Sequence, residues 1–172
     1  HFKHVGVWKL NAKDWGVAQD RWRVFIWAAE VPLQPPVPTH GPGTGQAYVT
    51  VKEALPGLLS EGYEAIMSFQ GGATSRELAN PSPTVTGRRN LYAVREPGLT
   101  YRGAGSIPRP FRLLTPDETQ VLQAFPGTFD FLGNLSDRQL QIGNAVPPPL
   151  AAAVVTMVTL GLKPRRHTPT EL

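Results

Sequence analysis

The chain has no cysteine, so neither a disulfide framework nor a thiolate metal site can be built within it. Its four histidines, His1, His4, His40 and His167, are scattered without ligand spacing, and no metal is assigned. Long apolar runs are also lacking. The longest, residues 150–162, is interrupted by two threonines and a glycine and falls short of the about 20 residues that a membrane helix needs. A buried helix is expected there. No segment has the make-up of a secretory signal, which leads to an expectation of an intracellular protein, in the cytoplasm or nucleoid if bacterial or phage-encoded and in the nucleus if eukaryotic. The first residue is not methionine, which leaves two alternatives: translated residues have been removed, or the numbering begins inside a longer product. Gly41-Pro42-Gly43-Thr44-Gly45 lacks the Lys-Ser/Thr of a phosphate loop, and its proline would disrupt a nest of amides.

Proline and glycine are abundant instead, at 18 and 17 of 172 residues, beside a hydrophobic content of 41%. That composition suits one domain or two small ones with many loops. The net charge of +4 is unevenly placed. Between residues 76 and 112 seven arginines stand against Glu77 and Glu96, whereas residues 113–162 hold Arg138 against four acids. An arginine-only tract suits phosphate and guanine recognition, because guanidinium donates two parallel hydrogen bonds. A solvated loop surface is the plain alternative. Lys163, Arg165 and Arg166 read as a solvated tail.

Local patterning divides the chain. Residues 5–10 alternate and residues 23–29 are β-branched and aromatic, so both are expected to be strands joined by a loop over residues 11–20. Proline-rich residues 32–42 mark a boundary. A short helix is expected over residues 51–59, ending at Gly62, and residues 63–110 read as an irregular β-rich module. Thr115-Pro116-Asp117-Glu118 starts a helix with a capping residue, a proline at the first position and a glutamate at the third. Val121, Leu122 and Phe125 give that helix an apolar face. Pro147-Pro148-Pro149 leads into a final helix, apolar on nearly all sides, which must pack against something large.

Three blocks carry a family resemblance. They are Gly16-Val17-Ala18-Gln19-Asp20-Arg21-Trp22-Arg23; Phe111-Arg112-Leu113-Leu114-Thr115-Pro116-Asp117-Glu118 with Leu122-Gln123-Ala124-Phe125-Pro126; and Gln141-Ile142-Gly143-Asn144-Ala145-Val146-Pro147. In order and spacing they resemble the Gln-x-Arg-x-Arg motif and the last two motifs of the cytosine-5 DNA methyltransferases. The family's Gly-Val-Pro-Gln reads Gly-Val-Ala-Gln here, and its Thr-Pro-Arg-Glu reads Thr-Pro-Asp-Glu. The family's Pro-Cys nucleophile, Phe-x-Gly-x-Gly loop and Glu-Asn-Val motif are missing, so the chain is similar to the C-terminal half of such an enzyme.

The resemblance implies an α/β fold. A strand hairpin and the C-terminal helix would form part of a Rossmann-like methyltransferase sheet, over residues 1–30 and 145–172. Residues 31–112 would form a small β-rich target-recognition lobe, and residues 113–144 a bracing helix and connection. These enzymes flip cytosine out of the duplex. A cysteine thiolate then adds to carbon six, so that carbon five takes the methyl group of S-adenosylmethionine. By the resemblance, Arg21 and Arg23 hold the flipped base and its backbone. On a strand, residues two apart share a face. Gln19, Thr84 (in Pro81-Ser82-Pro83-Thr84-Val85-Thr86-Gly87), Gln70, Arg76, Arg88, Arg89 and Asn90 would meet DNA, and Asn144 with Ala145 would line the cofactor. Arg112, Glu118 and Gln123 look structural. The implied partners are double-stranded DNA and a chain carrying the Pro-Cys motif; the implied cofactor is S-adenosylmethionine, held chiefly by the missing half. A natural split subunit and a piece of a single-chain enzyme both fit. The rival class is a non-catalytic DNA-binding or regulatory protein derived from a methyltransferase.

Overall fold

In a computed structural model, which describes residues 2–68, 74–88, 91–94 and 111–161, the chain is a mixed α/β protein with two small antiparallel sheets. Strands β1 (His4–Asn11) and β2 (Trp22–Ala29) pair as a ribbon with Val7 opposite Ile26, and a 3-10 turn at Ala12–Trp15 begins their connection. Residues directly opposite share a face. His4, Gly6, Trp8 and Leu10 therefore lie on one side with Ala29, Trp27, Phe25 and Arg23. The Trp27 ring covers Gly6 so closely that a Cβ there would sit 2.4 Å from Trp27 Cζ2. This face packs with Trp15, Val17 and Leu33 against Leu150, Ala153, Val154, Met157 and Val158 of helix α5 (Pro148–Gly161).

The opposite face of the ribbon is uncovered. Val5, Val7, Val24 and Ile26 are 70%, 64%, 61% and 78% exposed, and their register places them on that one side with Ala28. Helix α5 is half open as well: Leu150 is its one fully buried residue, while Val155 and Leu160 stand in solvent. The buried final helix expected from the sequence is thus covered on one side within this chain. Residues 135–161 together are apolar enough to cross a membrane by length and composition. They are nevertheless divided by an extended Ala145 into helices of 10 and 14 residues, each shorter than the about 20 that a span requires.

The second sheet has the order β4-β3-β5-β6, from β3 (Ala65–Ser68), β4 (Thr74–Glu77), β5 (Leu91–Val94) and β6 (Phe111–Leu113). Ile66, Leu91 and Ala93 point to one core with Val51, Leu58, Leu78, Val85, Leu114, Leu122 and Ile142; Ala65, Met67 and Val94 point to the other face, where Tyr92 and Phe111 cover them. The helix expected over residues 51–59 is two short ones, α1 (Val51–Ala54) and α2 (Pro56–Ser60). Pro56 pushes Leu55 out of the helical region, to φ −130° and ψ 65°. Helix α3 (Pro116–Leu122) carries the expected capping box between Thr115 and Glu118.

Within residues 113–144 the expected arrangement is a bracing helix and a connection, but Leu135–Asn144 forms a further helix, α4, capped at its start by Asn134 with Asp137 reaching back. Gly143 and Asn144 are the end of that helix and not a free turn.

Candidate nucleic-acid and cofactor interface

The Gln-x-Arg segment is shaped from the end of β1. Asn11 Oδ1 accepts the Arg21 backbone N–H at 3.0 Å, and its amide donates to Asp20 at 2.6 Å. This short bridge draws Gln19 alongside Ser82, where the Asp20 N–H meets the Ser82 carbonyl and the Ser82 N–H meets the Ala18 carbonyl, both at 2.9 Å. Thr84 is held in the same way, its hydroxyl donating to the Asp20 carbonyl at 2.8 Å. The Gly16–Arg23 block and the threonine segment at residues 81–87 thus touch through backbone.

Arg21 is fully buried. Its guanidinium donates to the carbonyls of Val85, Gly143 and Ala145, the last at 3.1 Å, and to Gln19 Oε1 at 3.4 Å. Its Nε is buried without a partner among the described residues. The acceptors at 143 and 145 belong to the C-terminal end of α4, where helical carbonyls lack intrahelical donors and carry partial negative charge. Arg21 therefore acts as a helix cap delivered from a remote strand. Gln123 completes the cap by donating to the Ile142 carbonyl at 2.7 Å. Gln19 joins the pieces: its amide group donates to the Leu122 carbonyl and to Gln123, and its oxygen accepts the Val85 N–H at 2.8 Å. Gln139 donates to the Thr86 carbonyl at 2.8 Å and accepts from Thr119.

Gly143 allows the two segments to meet. A Cβ on it would lie 2.0–2.2 Å from the peptide that joins Thr86 to Gly87. Beside this contact Asn144 is exposed, its Oδ1 next to Gly87, and Ala145 is half-buried.

The other expected residues have different surroundings. Arg23 is half-buried, donates to its neighbour's Trp22 carbonyl at 2.8 Å, and has its pKa lowered by burial. Arg21 lies just before β2 and, like Gln19, is fully buried and bonded to internal partners, so neither is open to the flipped base or the DNA expected to meet it, whereas Arg23 is tied to its own strand neighbour alone. Arg76 forms an ion pair with Asp20 at 3.0 Å, with Lys13 at 3.7 Å from the same carboxylate. Burial alone would raise the Asp20 pKa; hydrogen bonds from Asn11 and Arg76 and the Lys13 charge outweigh it and lower the pKa. These groups border a cleft of about 580 Å³ with Tyr48, Ser75, Glu77 and Asn80. Arg88 is exposed. Gln70, Arg89 and Asn90 lie outside the described residues.

Sequence reasoning overlooked Asn11, Asp20 and Gln139. Polar residues that satisfy remote backbone show no periodicity, and the only local signal was Gln19 beside two arginines.

A mixed α/β chain that fastens a Gly-Asn helix end to an arginine-bearing β lobe is the arrangement with which known proteins can be compared. The family model described as C-5 cytosine-specific DNA methylase matches residues 59–159, and the chain belongs to that family. It is 34% identical over 161 residues to the type II methyltransferase M.HgiDI of Herpetosiphon aurantiacus, covering 86% of this chain and 48% of that protein. With M.NgoMIV of Neisseria gonorrhoeae the identity is 31% over 183 residues, covering 93% and 55%. Mouse DNA (cytosine-5)-methyltransferase 1 shares 44% over 55 residues, which is 32% of this chain and 3% of the larger protein. The chain spans about half the length of the bacterial type II methyltransferases it matches.

Proposed function

We propose that this chain is the DNA-recognition and cofactor-closing portion of a DNA (cytosine-5-)-methyltransferase, working with a second chain or segment that supplies the cysteine nucleophile and most S-adenosylmethionine contacts. The observation that carries this reading is the junction of residues 84–87 with residues 143–145, made by Gly143 and the Arg21 guanidinium. It sets a threonine segment suited to DNA beside an exposed Asn144, whose amide can both donate to and accept from a zwitterion. The uncovered apolar faces of the ribbon and α5 support a complementary body. A two-stranded ribbon is marginal by itself, and obligate interfaces bury more than about 2,000 Å². In this reading Arg23 and Thr84 face the flipped nucleotide and its backbone, Arg76, Arg88 and the recognition residues beyond them meet the duplex, and Asn144 and Ala145 close the cofactor pocket. When bound, S-adenosylmethionine supplies the methyl group.

The test is transfer of labelled methyl groups to DNA. The isolated chain should give none, because it has no cysteine, and activity should appear when a chain with the Pro-Cys motif is added. Transfer by the verified chain alone would sink the proposal. Arg23→Ala should lower turnover of the assembled enzyme without loss of the fold. A charge-assisted hydrogen bond of about 1.5–3 kcal/mol is at stake, equivalent to roughly 10- to 150-fold in rate. DNA binding by the chain alone, indifferent to S-adenosylmethionine and accompanied by cooperative unfolding as a closed monomer, would favour a regulatory DNA-binding protein instead.

A further inference from the structure

We propose that Arg21 is a positioning residue, which makes residues 84–87 and the helix end at residues 143–145 move as one unit and so couples DNA contact to the set of Asn144. The functional half of this statement rests on the reading above; the mechanical half does not. Arg21 is fully buried, and no carboxylate is among its partners within the described residues. Its charge is met by the Val85 carbonyl on one side and the Gly143 and Ala145 carbonyls on the other. Breaking either contact would leave a buried cation under-solvated, so the two segments lose their anchor together. The fork geometry of guanidinium is needed, because an ammonium group cannot span both acceptors with parallel donors. Two further ties, the Gly143 contact and the Gln139 bond to the Thr86 carbonyl, do not involve Arg21. Removing the fork should therefore loosen the junction without dismantling it. Any energetic coupling made this way is reciprocal: what DNA does to Asn144, a ligand on Asn144 does to residues 84–87.

Hydrogen exchange of the full chain tests the mechanical half. The Val85 amide, bound to Gln19, and the Ala145 amide, bound to the Gln141 carbonyl, report the two sides. In the wild-type chain both should open with the same free energy and the same urea dependence, as a single cooperative unit does. In Arg21→Lys both should lose protection together by about tenfold or more, while β1–β2 amides keep theirs. Unequal opening in the wild type overturns the proposal even if Arg21→Lys does not fold. Loss at one amide only, at neither, or equally throughout the chain also overturns it. Adding a short duplex of random sequence should shift NMR signals of residues 84–88 and of the Asn144 side chain in the wild type, but only the former in Arg21→Lys. Shifts at Asn144 that survive the substitution refute the coupling. Cooperative opening with no response to the duplex upholds the unit and removes the DNA-recognition reading.

Discussion

A methyl group on residue 143 would penetrate the Thr86–Gly87 peptide, with 2.0 Å to the Thr86 carbonyl carbon. Backbone cannot swing aside as a long side chain can, so Gly143→Ala must separate α4 from residues 86 and 87. Overpacking of this kind costs typically 1–3 kcal/mol, roughly, and more where backbone is the obstacle; a lowered urea midpoint at unchanged m-value would record it. Glu118 offers a pH test. Burial favours its neutral form, but two hydrogen bonds from Arg112, at 2.7 and 2.8 Å, and the Thr115 N–H outweigh that and lower its pKa below the ordinary 4.5. A lowered folded pKa contributes stability that is fully present above 4.5 and is lost as the pH falls through the folded value. Glu118→Gln should cost roughly 1–3 kcal/mol near neutrality and should flatten the decline in stability as the pH falls below 4.5, measured by denaturant titration. The sequence made the positions of Arg21, Thr84 and Asn144 legible because short motifs carry them. It did not reveal what Arg21 touches. Its acceptors are backbone carbonyls, which have no residue identity to read.

Elements were legible where local chemistry decides them. The Thr115-Pro116-Asp117-Glu118 start became α3 with its capping box, and the alternating residues 5–10 and the β-branched and aromatic residues 23–29 became a ribbon. Helix α4 escaped notice because glycine and asparagine end it, and of its apolar residues Leu135 and Leu140 are exposed while Ile142 is buried. Its C-terminal end depends on tertiary partners, Arg21 and Gln123, while its start rests on the local cap Asn134. Asn134 accepts from the N–H groups of Ser136 and Asp137 at 2.9 and 3.1 Å. Asn134→Ala should therefore lower stability by about 1 kcal/mol. The loss should appear as faster exchange in the first turn of α4, with α3 unaffected. Equal loosening of α3 would mean that packing and not the cap starts the helix.

For the whole molecule, the uncovered ribbon face has an experimental signature. Ile26 is 78% exposed, so Ile26→Glu should change the stability of the isolated chain by no more than about 0.5 kcal/mol. The same substitution should abolish assembly with a complementary methyltransferase body, which sedimentation velocity would detect; retained assembly would mean that the ribbon is not the docking face. The arrangement of the lock also fixes an order of events. Arg21 finds its acceptors 64, 122 and 124 residues further along the chain. During synthesis at about 5–20 residues per second, the guanidinium waits on the order of 10 s before its last partner exists. Loop entropy grows only logarithmically with length, so the delay is set by translation and not by the cost of closure. Until residue 145 emerges, strands β3 to β6 can form their sheet, but the ribbon before them stays hydrated at the arginine beside its end. The nascent chain therefore matures from the middle outwards, and its first strand is among the last parts to become native.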